Sequence, residues 1–148
     1  MAYTFAQEMT AIAKIECKLG KYPSARYSVV GNTITVEALD DDGFSVWLTE
    51  KQPGYTVGYD GWHDEFDDEE DALAAFAFGL SDDCRLKVVR RGDSDCAWIV
   101  EGRDEDGRWS GDSTTGLLLT PFWRKRSVVY RQNRLMTNEA NKPQHPTA

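Results

Sequence analysis

The spacing of apolar residues predicts a helix at the start of the chain. Four apolar residues recur there at helical spacing: Phe5, Met9, Ile12 and Leu19. Thr4 and Gln7 stand three residues apart, as the two members of a capping box do at a helix N-terminus. We therefore expect a first helix over about residues 5–19, which Gly20 ends.

A second helix is predicted in the middle of the chain, directly after a dense acidic run. Asp67 is placed to accept from first-turn amides, Glu70 follows three residues later, and carboxylates at this end oppose the positive pole of the helix dipole. Four apolar residues then form one stripe: Leu73, Phe76, Ala77 and Leu80. We expect Gly79 and the Ser-Asp-Asp that follows Leu80 to end this helix.

Between the two helices apolar residues alternate with polar ones, which indicates β-strands. The dipeptide Gly31-Asn32 is typical of a two-residue hairpin turn, in which glycine supplies the positive φ. This turn places Val29 opposite Ile34. By the same register Tyr27 lies opposite Val36. Each pair joins two apolar residues, so we expect a hairpin with this register.

A second turn is predicted at 41–43, where Asp-Asp-Gly is typical of a three-residue loop with glycine in the left-handed position. Its register places Val36 opposite Leu48. It also places Ala38 opposite Val46. Both turns select the same side of a meander for the core. The expected core face consists of Tyr27, Val29, Ile34, Val36, Ala38, Phe44, Val46 and Leu48.

Further strands are expected on both sides of the central helix. Alternating aromatic and aliphatic residues predict a fourth strand at 54–60. The residues after Gly107 are mostly polar at positions where a central strand needs apolar ones, which predicts an edge strand. The segment 121–135 has two interpretations: Thr120-Pro121 is typical of a helix start, whereas the β-branched residues that follow favour a strand at about 126–132. We favour the strand.

The second half of the chain partly repeats the first. The pattern Val-Glu-x-x-Asp-x-Asp-Gly at 36–43 recurs at 100–107, an offset of 64 residues. The predicted fold class is therefore α+β, with two helices packed on an antiparallel meander sheet. The alternative is a pair of degenerate helix-plus-meander repeats, and the pattern leaves open whether the two halves share one sheet.

One domain is expected over residues 1–136, and a disordered C-terminal tail over 137–148. If the chain is a duplication, its halves are 1–61 and 62–136. The order of helix, three strands, helix and further strands in a small acidic chain is similar in outline to type III secretion chaperones. The additional strand at 54–60 departs from their plan.

The chain of 148 residues carries a net charge of -8, with a pI near 4.7, which argues against general affinity for polyanions. Its three cysteines, Cys17, Cys84 and Cys96, form no Cys-x-x-Cys pair and leave one unpaired, as fits a reducing compartment. The N-terminal residues lack a basic-then-apolar signal pattern, and no apolar stretch approaches the length of a membrane span. We expect a cytoplasmic protein without a membrane partner.

No motif in the sequence identifies a reaction or a cofactor. The Asp-rich turns do not fit a calcium loop, because alanine or glycine falls at the first ligand position when Gly43 or Gly107 is placed sixth. His63, followed by carboxylates at 64–68, is typical of a surface histidine beside acids more than of a metal ligand or catalytic base. The tripeptide Arg91-Gly92-Asp93 is expected to form a loop between strands. We expect no metal site, no cofactor and no enzymatic activity.

The sharpest chemical feature is a basic, aromatic segment at 122–134. The stretch from Phe122 to Met136 carries a charge of +5 and no acid, so the rest of the chain carries -13. Seven residues of the segment are candidates for partner binding: Trp123, Arg124, Lys125, Arg126, Tyr130, Arg131 and Arg134. Such a segment can fold across the chain's own acidic surface, bind an acidic protein, or stack on bases and neutralise phosphates.

Taken together, these features favour a small non-enzymatic protein-binding module, such as a chaperone, an adaptor or an immunity-type inhibitor. Its partner is expected to be another protein, and a homodimer is compatible with the pattern. The alternative is a protein that contacts nucleic acid through 122–134. A third hypothesis, an enzyme based on His63, requires a concave pocket around that residue.

Overall fold

The computed structural model describes residues 9–117 and 120–137, which form two helices and two antiparallel sheets. The helices are α1 (Ala11–Leu19) and α2 (Glu69–Leu80). The first sheet has the strands β1 (Tyr27–Val30), β2 (Thr33–Val36), β3 (Val46–Glu50), β4 (Tyr55–Tyr59) and β5 (Trp62–Phe66), in that spatial order. The second sheet has β6 (Cys84–Arg91), β7 (Ser94–Arg103), β8 (Trp109–Gly116) and β9 (Arg126–Arg131), in the order β8-β7-β6-β9. The α+β class and the antiparallel pairing are confirmed.

Helix α1 is shorter than predicted at its start. Thr10 has extended backbone angles, with φ -72° and ψ 163°, and its hydroxyl accepts from the Ala13 amide. A residue in that conformation caps a helix and cannot lie inside one, so the predicted start at residue 5 is wrong. Thr4 and Gln7, the predicted capping box, lie outside the described residues. The predicted end at Leu19 is confirmed, with Gly20 as the C-cap.

Helix α2 is confirmed, although its first residue and the cause of its end differ from the prediction. Asp68, one residue after the predicted Asp67, is the N-cap, and its carboxylate accepts from the Asp71 amide. Gly79 lies inside the helix and is buried, so it does not end it. A Cβ at Gly79 would collide with the ring of Tyr59, which means that this glycine lets the helix approach the first sheet.

The turn at Gly31-Asn32 has the predicted register, because Val29 pairs with Ile34 across it. The second turn, at 41–43, does not have the predicted register. Val36 pairs with Val46 rather than Leu48, so the ladder is displaced by two residues and residues 37–45 form a longer connection. Gly43 does not have the predicted left-handed φ. The physical cause is a set of hydrogen bonds from this connection to the C-terminal end of the described chain, detailed below.

Most of the predicted core face is nevertheless correct. Because side chains alternate along a strand, a displacement of two residues keeps every side chain on its own face. Five of the predicted residues are buried: Ile34, Val36, Phe44, Val46 and Leu48. Tyr27 and Val29 are wrong, since both are about 40% exposed on the edge strand β1. Ala38 is half-buried.

Strand β4 is confirmed, and strand β5 was not predicted. The acidic stretch before α2 forms β5, which pairs with β4 through a tight turn at Asp60-Gly61. Asp60 has a φ of +50°, the left-handed conformation that this kind of turn requires. The aromatic residues at each end of β5 are its apolar contribution, with Trp62 buried and Phe66 half-buried.

The second half of the chain has a sheet of its own. Strand β8 is an edge strand, as predicted, and 126–131 is a strand rather than a helix, as favoured from the sequence. Strand β9 returns to pair with β6 instead of continuing the meander. The internal repeat remains a prediction, because the two sheets differ in strand number and order.

Helix α2 lies between the sheets and contacts β3, β4 and β5 of the first and β6 of the second. One cluster of buried side chains draws on both sheets and both helices. The inner face of the second sheet contributes Cys84, Leu86, Val88 and Val100. Its outer face has no described helix or sheet packed on it.

The segment 131–136 joins these layers after β9. The side-chain amide of Asn133 donates to the carbonyls of Phe44 and Gly79, at 3.0 and 2.9 Å, and its oxygen accepts from the Phe44 amide at 3.1 Å. The Gln132 amide donates to the Asp42 carbonyl at 2.7 Å. Met136 forms a parallel bridge with Ser81. This C-terminal strap therefore fixes the 37–45 connection against helix α2.

Candidate functional site

The exposed part of the predicted binding segment lies at one end of the second sheet, in the connection that enters β9. Phe122 and Trp123 are 75% and 71% exposed, and their rings meet edge to face with centroids 5.4 Å apart. Large aromatic side chains this exposed are uncommon, because covering them would remove a large apolar area from water. Their pairing gives the surface a continuous apolar feature.

Four cationic side chains belong to the same connection or to the turn beside it: Arg91, Arg124, Lys125 and Arg126. None of them forms an ion pair with a described carboxylate. The connection is held to the β6–β7 turn by its backbone, since the Gly92 amide donates to the Lys125 carbonyl at 3.0 Å. Gly92 has a φ of +61°, and the aliphatic stem of Arg124 lies against it. We call Arg91, Phe122, Trp123, Arg124, Lys125 and Arg126 the basic aromatic patch.

Tyr130 belongs to a different arrangement, on the outer face of the second sheet. The Arg85 guanidinium lies 4.2 Å from the ring centroid of Tyr130 and 4.5 Å from that of Trp109. Arg85 also forms an ion pair with Glu101, at 2.6 Å. Cation–π contacts of this kind contribute about 0.5–1 kcal/mol each at partly exposed sites. Tyr130, at 48% exposure, therefore both packs on Arg85 and faces solvent.

Arg131 and Arg134 are placed apart from the patch. Arg131 points to the inner side of the second sheet, where its guanidinium bonds the Asp60 carboxylate at 3.0 Å and approaches that of Asp95 at 3.7 Å. Arg134 is exposed in the strap and donates to the Gln132 side chain at 3.2 Å. The seven predicted residues thus separate into a patch of four, a stacked tyrosine and two arginines of the strap region.

Sequence reasoning missed Arg91, Arg85 and Trp109. Arg91 reaches the patch because β6 ends at the turn against which the 122–125 connection folds. Arg85 and Trp109 meet across three strands, a contact that depends on the order β8-β7-β6. The sequence carried one signal for the first of these, since Arg91-Gly92-Asp93 was expected to be a loop between strands, and it is the β6–β7 turn.

His63 and the carboxylates that follow it are distributed over the two faces of strand β5 and the start of helix α2. His63 and Asp64 are neighbours on β5, so their side chains leave opposite faces of the sheet. Glu65 is held by Lys51 and by the Thr56 hydroxyl, and these two hydrogen bonds lower the pKa of its carboxyl below the usual 4.5. Within the described residues, no three His, Cys, Asp or Glu side chains are grouped to hold a metal ion.

The Asp-rich turns use their carboxylates locally. The Asp40 side chain accepts from the Asp42 amide at 2.9 Å. That of Asp104 accepts from the Asp106 and Arg108 amides, both at 2.9 Å. Carboxylates bonded to their own turn are explained by turn chemistry, which is the interpretation that the sequence favoured over calcium.

Comparison with known proteins adds no further identification. No family model matches the chain, and no match was found among the curated proteins or the solved structures. Neither of the described helices has the length and apolar content needed to cross a bilayer. Function must therefore be argued from the geometry of this chain alone.

Proposed function

We propose that this chain is a non-enzymatic protein-binding module and that the basic aromatic patch is its contact surface. The observation that supports the proposal is the exposure of Phe122 and Trp123, at 75% and 71%, among four cations that have no described carboxylate partner. Aromatic and arginine side chains are the types that dominate the binding energy of protein interfaces. The patch unites both types in one place.

The charge of the patch indicates the kind of partner. Its four cations stand on a chain whose net charge is -8, so the patch differs in sign from the chain as a whole. A partner with an acidic rim around an apolar pocket would match it, because charge complementarity accelerates association and excludes partners of the wrong sign. The proposal therefore names an acidic protein.

A cytoplasmic location is part of the same proposal. The three cysteines, Cys17, Cys84 and Cys96, form no Cys-x-x-Cys pair, and an odd number leaves at least one outside any disulfide within the chain. A cysteine outside a disulfide is compatible with a reducing compartment, in which disulfides are rare. The proposal covers chaperones, adaptors and immunity-type inhibitors as classes of such a module.

The test is affinity capture from native lysate with three forms of the immobilised chain. The first is wild type, the second is Phe122→Ala/Trp123→Ala, and the third is Arg124→Ala/Lys125→Ala/Arg126→Ala. We expect a defined acidic partner on wild type, and a loss of affinity of about thirtyfold or more for each variant, since two hot-spot truncations cost about 2 kcal/mol or more.

The matched control is Lys18→Ala/Lys21→Ala/Arg108→Ala, which removes three exposed cations away from the patch. It changes the net charge as the third form does and should retain the partner. Equal capture by all forms, or a partner lost equally from the control and the patch variants, would contradict the proposal.

Single-stranded nucleic acid is the second candidate, because aromatic rings beside arginines can stack on bases and neutralise phosphates. The -13 carried outside 122–136 opposes it, since it repels a polyanion. Fluorescence anisotropy with a labelled oligothymidylate at low salt would measure the affinity directly. Binding that weakens steeply with salt and is lost in Arg124→Ala/Lys125→Ala/Arg126→Ala would support this candidate, and no binding at low salt would remove it.

A further inference from the structure

A cleft of about 500 Å³ opens where helix α2, strand β5 and the inner face of the second sheet meet. Aromatic side chains from three elements line it: Tyr59, Trp62, Phe66 and Phe78. Ala74 and Ala75 of α2 and Val100 of β7 complete most of its wall. This cleft lies outside the basic aromatic patch and shares no residue with it.

The cleft has few polar groups, a hydrogen-bonded pair and a carboxylate. The Trp62 indole N–H donates to the Ser113 hydroxyl at 3.1 Å, so both groups are already engaged. Asp64 is the one charged side chain among the described residues that line the cleft; it is exposed, and its carboxylate accepts from the Glu65 amide at 2.8 Å.

From this arrangement we propose that the cleft binds a small organic cation, an ammonium group carried on an aromatic or aliphatic body. The aromatic floor matches the apolar body of such a ligand, and the Asp64 carboxylate matches its charge. Aromatic rings also attract a cation through their quadrupole, an effect that strengthens when water is excluded. A cleft of this size exceeds the volume of a single-ring amine and falls within the range of small-molecule sites.

The sign of the charge is the specific part of the proposal. An apolar cleft alone would bind any compact hydrophobic molecule with similar affinity. A carboxylate that lines it favours a cation over a neutral isostere and disfavours an anion, by an amount that an exposed ion pair supplies. The discrimination expected is about two- to fivefold between cation and neutral ligand.

The test uses three ligands of one shape: 2-phenylethylammonium, 2-phenylethanol and 3-phenylpropionate. Their dissociation constants are measured by titration calorimetry on the full chain, and amide chemical shifts locate the site. We expect the ammonium to bind about two- to fivefold more tightly than the alcohol and the carboxylate most weakly. The shift changes should lie at Ala75, Phe78 and Val100.

Three variants keep the outcome interpretable. Asp64→Asn should remove the preference for the ammonium and leave the affinity for the alcohol unchanged. Asp93→Asn removes the same charge from the exposed β6–β7 turn and should leave the preference intact. Ala74→Phe, at an exposed helical position, should fill the cleft and abolish binding of every ligand.

Several results would overturn the proposal. They are equal affinities of wild type for ammonium and alcohol, an unchanged preference in Asp64→Asn, retained binding in Ala74→Phe, and absence of binding at roughly tens of millimolar. Circular dichroism of each variant establishes that it is folded. These outcomes are separate from those of the capture experiment, because none of the substituted residues belongs to the basic aromatic patch.

Discussion

The β2–β3 hairpin of the first sheet and the β7–β8 hairpin of the second turn on the same Asp-x-Asp-Gly pattern. In both, the glycine amide donates to the carbonyl of the first aspartate, Gly43 to Asp40 at 3.2 Å and Gly107 to Asp104 at 3.0 Å. In both, that aspartate's carboxylate also accepts from the amide two residues on. The two turns thus share these hydrogen bonds, although only Gly107 of the two glycines has a positive φ.

The strands that flank the two turns behave differently. In the second sheet pairing resumes at once, with Arg103 opposite Trp109. In the first sheet the ladder starts only at Val36 and Val46, and the backbone of Phe44 is bonded to Asn133 instead of to a partner strand. The turn residues decide the shape of the turn, and a distant side chain decides where the ladder begins.

The largest expected effect comes from removing that side chain. Asn133→Ala leaves the Phe44 amide and two carbonyls without their partner in a buried place, since Asn133 is 7% exposed. We expect the free energy of unfolding to fall by about 3 kcal/mol, because unsatisfied buried polar groups cost about 1–3 kcal/mol each and part of this cost is relieved by water. Urea denaturation followed by tryptophan fluorescence measures it.

Arg134→Ala, one residue further along the same strap, is the control. Arg134 is exposed and bonds only Gln132 among the described residues, so its loss should change the stability by less than about 0.5 kcal/mol. Similar changes for the two variants would mean that the strap does not act through Asn133.

At the two turn glycines, the substitutions to alanine and to asparagine should rank in opposite order of severity. A Cβ at Gly43 would lie 2.6 Å from the Asn133 side-chain oxygen, whereas Gly107 has open space and a φ of +81°. Gly43→Ala should therefore cost about 2 kcal/mol by displacing a bonded group, and Gly107→Ala about 1 kcal/mol by backbone strain. Asparagine tolerates the left-handed conformation, so Gly107→Asn should be milder than alanine and Gly43→Asn harsher. Thermal denaturation of the four variants measures this order of severity. The same order at both positions would contradict the prediction.

A second connection to the first hairpin is the ion pair of Arg131 with Asp60. Asp60 also accepts from the Ser45 amide and hydroxyl, each at 3.0 Å, so it links the hairpin to the second sheet. A double-mutant cycle with Arg131→Met and Asp60→Asn should give a coupling of about 1 kcal/mol, because both side chains are about one-quarter exposed. The Lys51–Glu65 pair, far more exposed, is the control and should couple more weakly than the Arg131–Asp60 pair. Equal couplings would refute the distinction.

The smallest effects are expected from the turn carboxylates themselves. Asp104 accepts from two amides and Asp40 from one. Asp104→Ala should lower the free energy of unfolding by about 1 kcal/mol and Asp40→Ala by about 0.5 kcal/mol. Denaturant titrations of the two single variants test the order. If Asp40→Ala were the more damaging, the view that the strap and not the turn holds the first hairpin would be wrong.

The sequence predicted the features of the fold that depend on local periodicity. Helix α2, the Gly31 hairpin and the buried residues of β2 and β3 follow from spacing and turn chemistry. The register after Gly43 did not follow, since Asn133 lies 89 residues beyond Phe44 and no local pattern reports it. The predicted face survived because the displacement was an even number of residues.

Strand β5 was missed for a different reason. Its residues are Trp62-His63-Asp64-Glu65-Phe66, in which only the ends are apolar, and the acidic run favoured a helix start. The Asp60-Gly61 dipeptide before it is typical of a two-residue hairpin turn. This turn, rather than the acidic run, determines the local structure. The exposed edge strand β1 shows a second limit of the sequence pattern. Alternation predicts on which face of the sheet Tyr27 and Val29 lie, but it does not predict whether another element covers that face.

The candidate site was predictable in part. The composition of 122–126 identified the exposed cations, because charge beside aromatic residues is visible in the sequence. The composition did not distinguish Arg131 from these cations. Arg131 differs from them in the strand face that it occupies and in its ion pair with Asp60 of the first sheet. Arg91 entered the patch through a turn contact that depends on tertiary structure.

The strap has a consequence for how the chain is made. A ribosome adds about 5–20 residues per second, so Phe44 emerges roughly 4–18 seconds before Asn133 is available to bond it. During that interval the 37–45 connection lacks its hydrogen bonds to Asn133. The β2–β3 hairpin of the nascent chain is therefore expected to reach its full stability only after β9 and the strap have been synthesised.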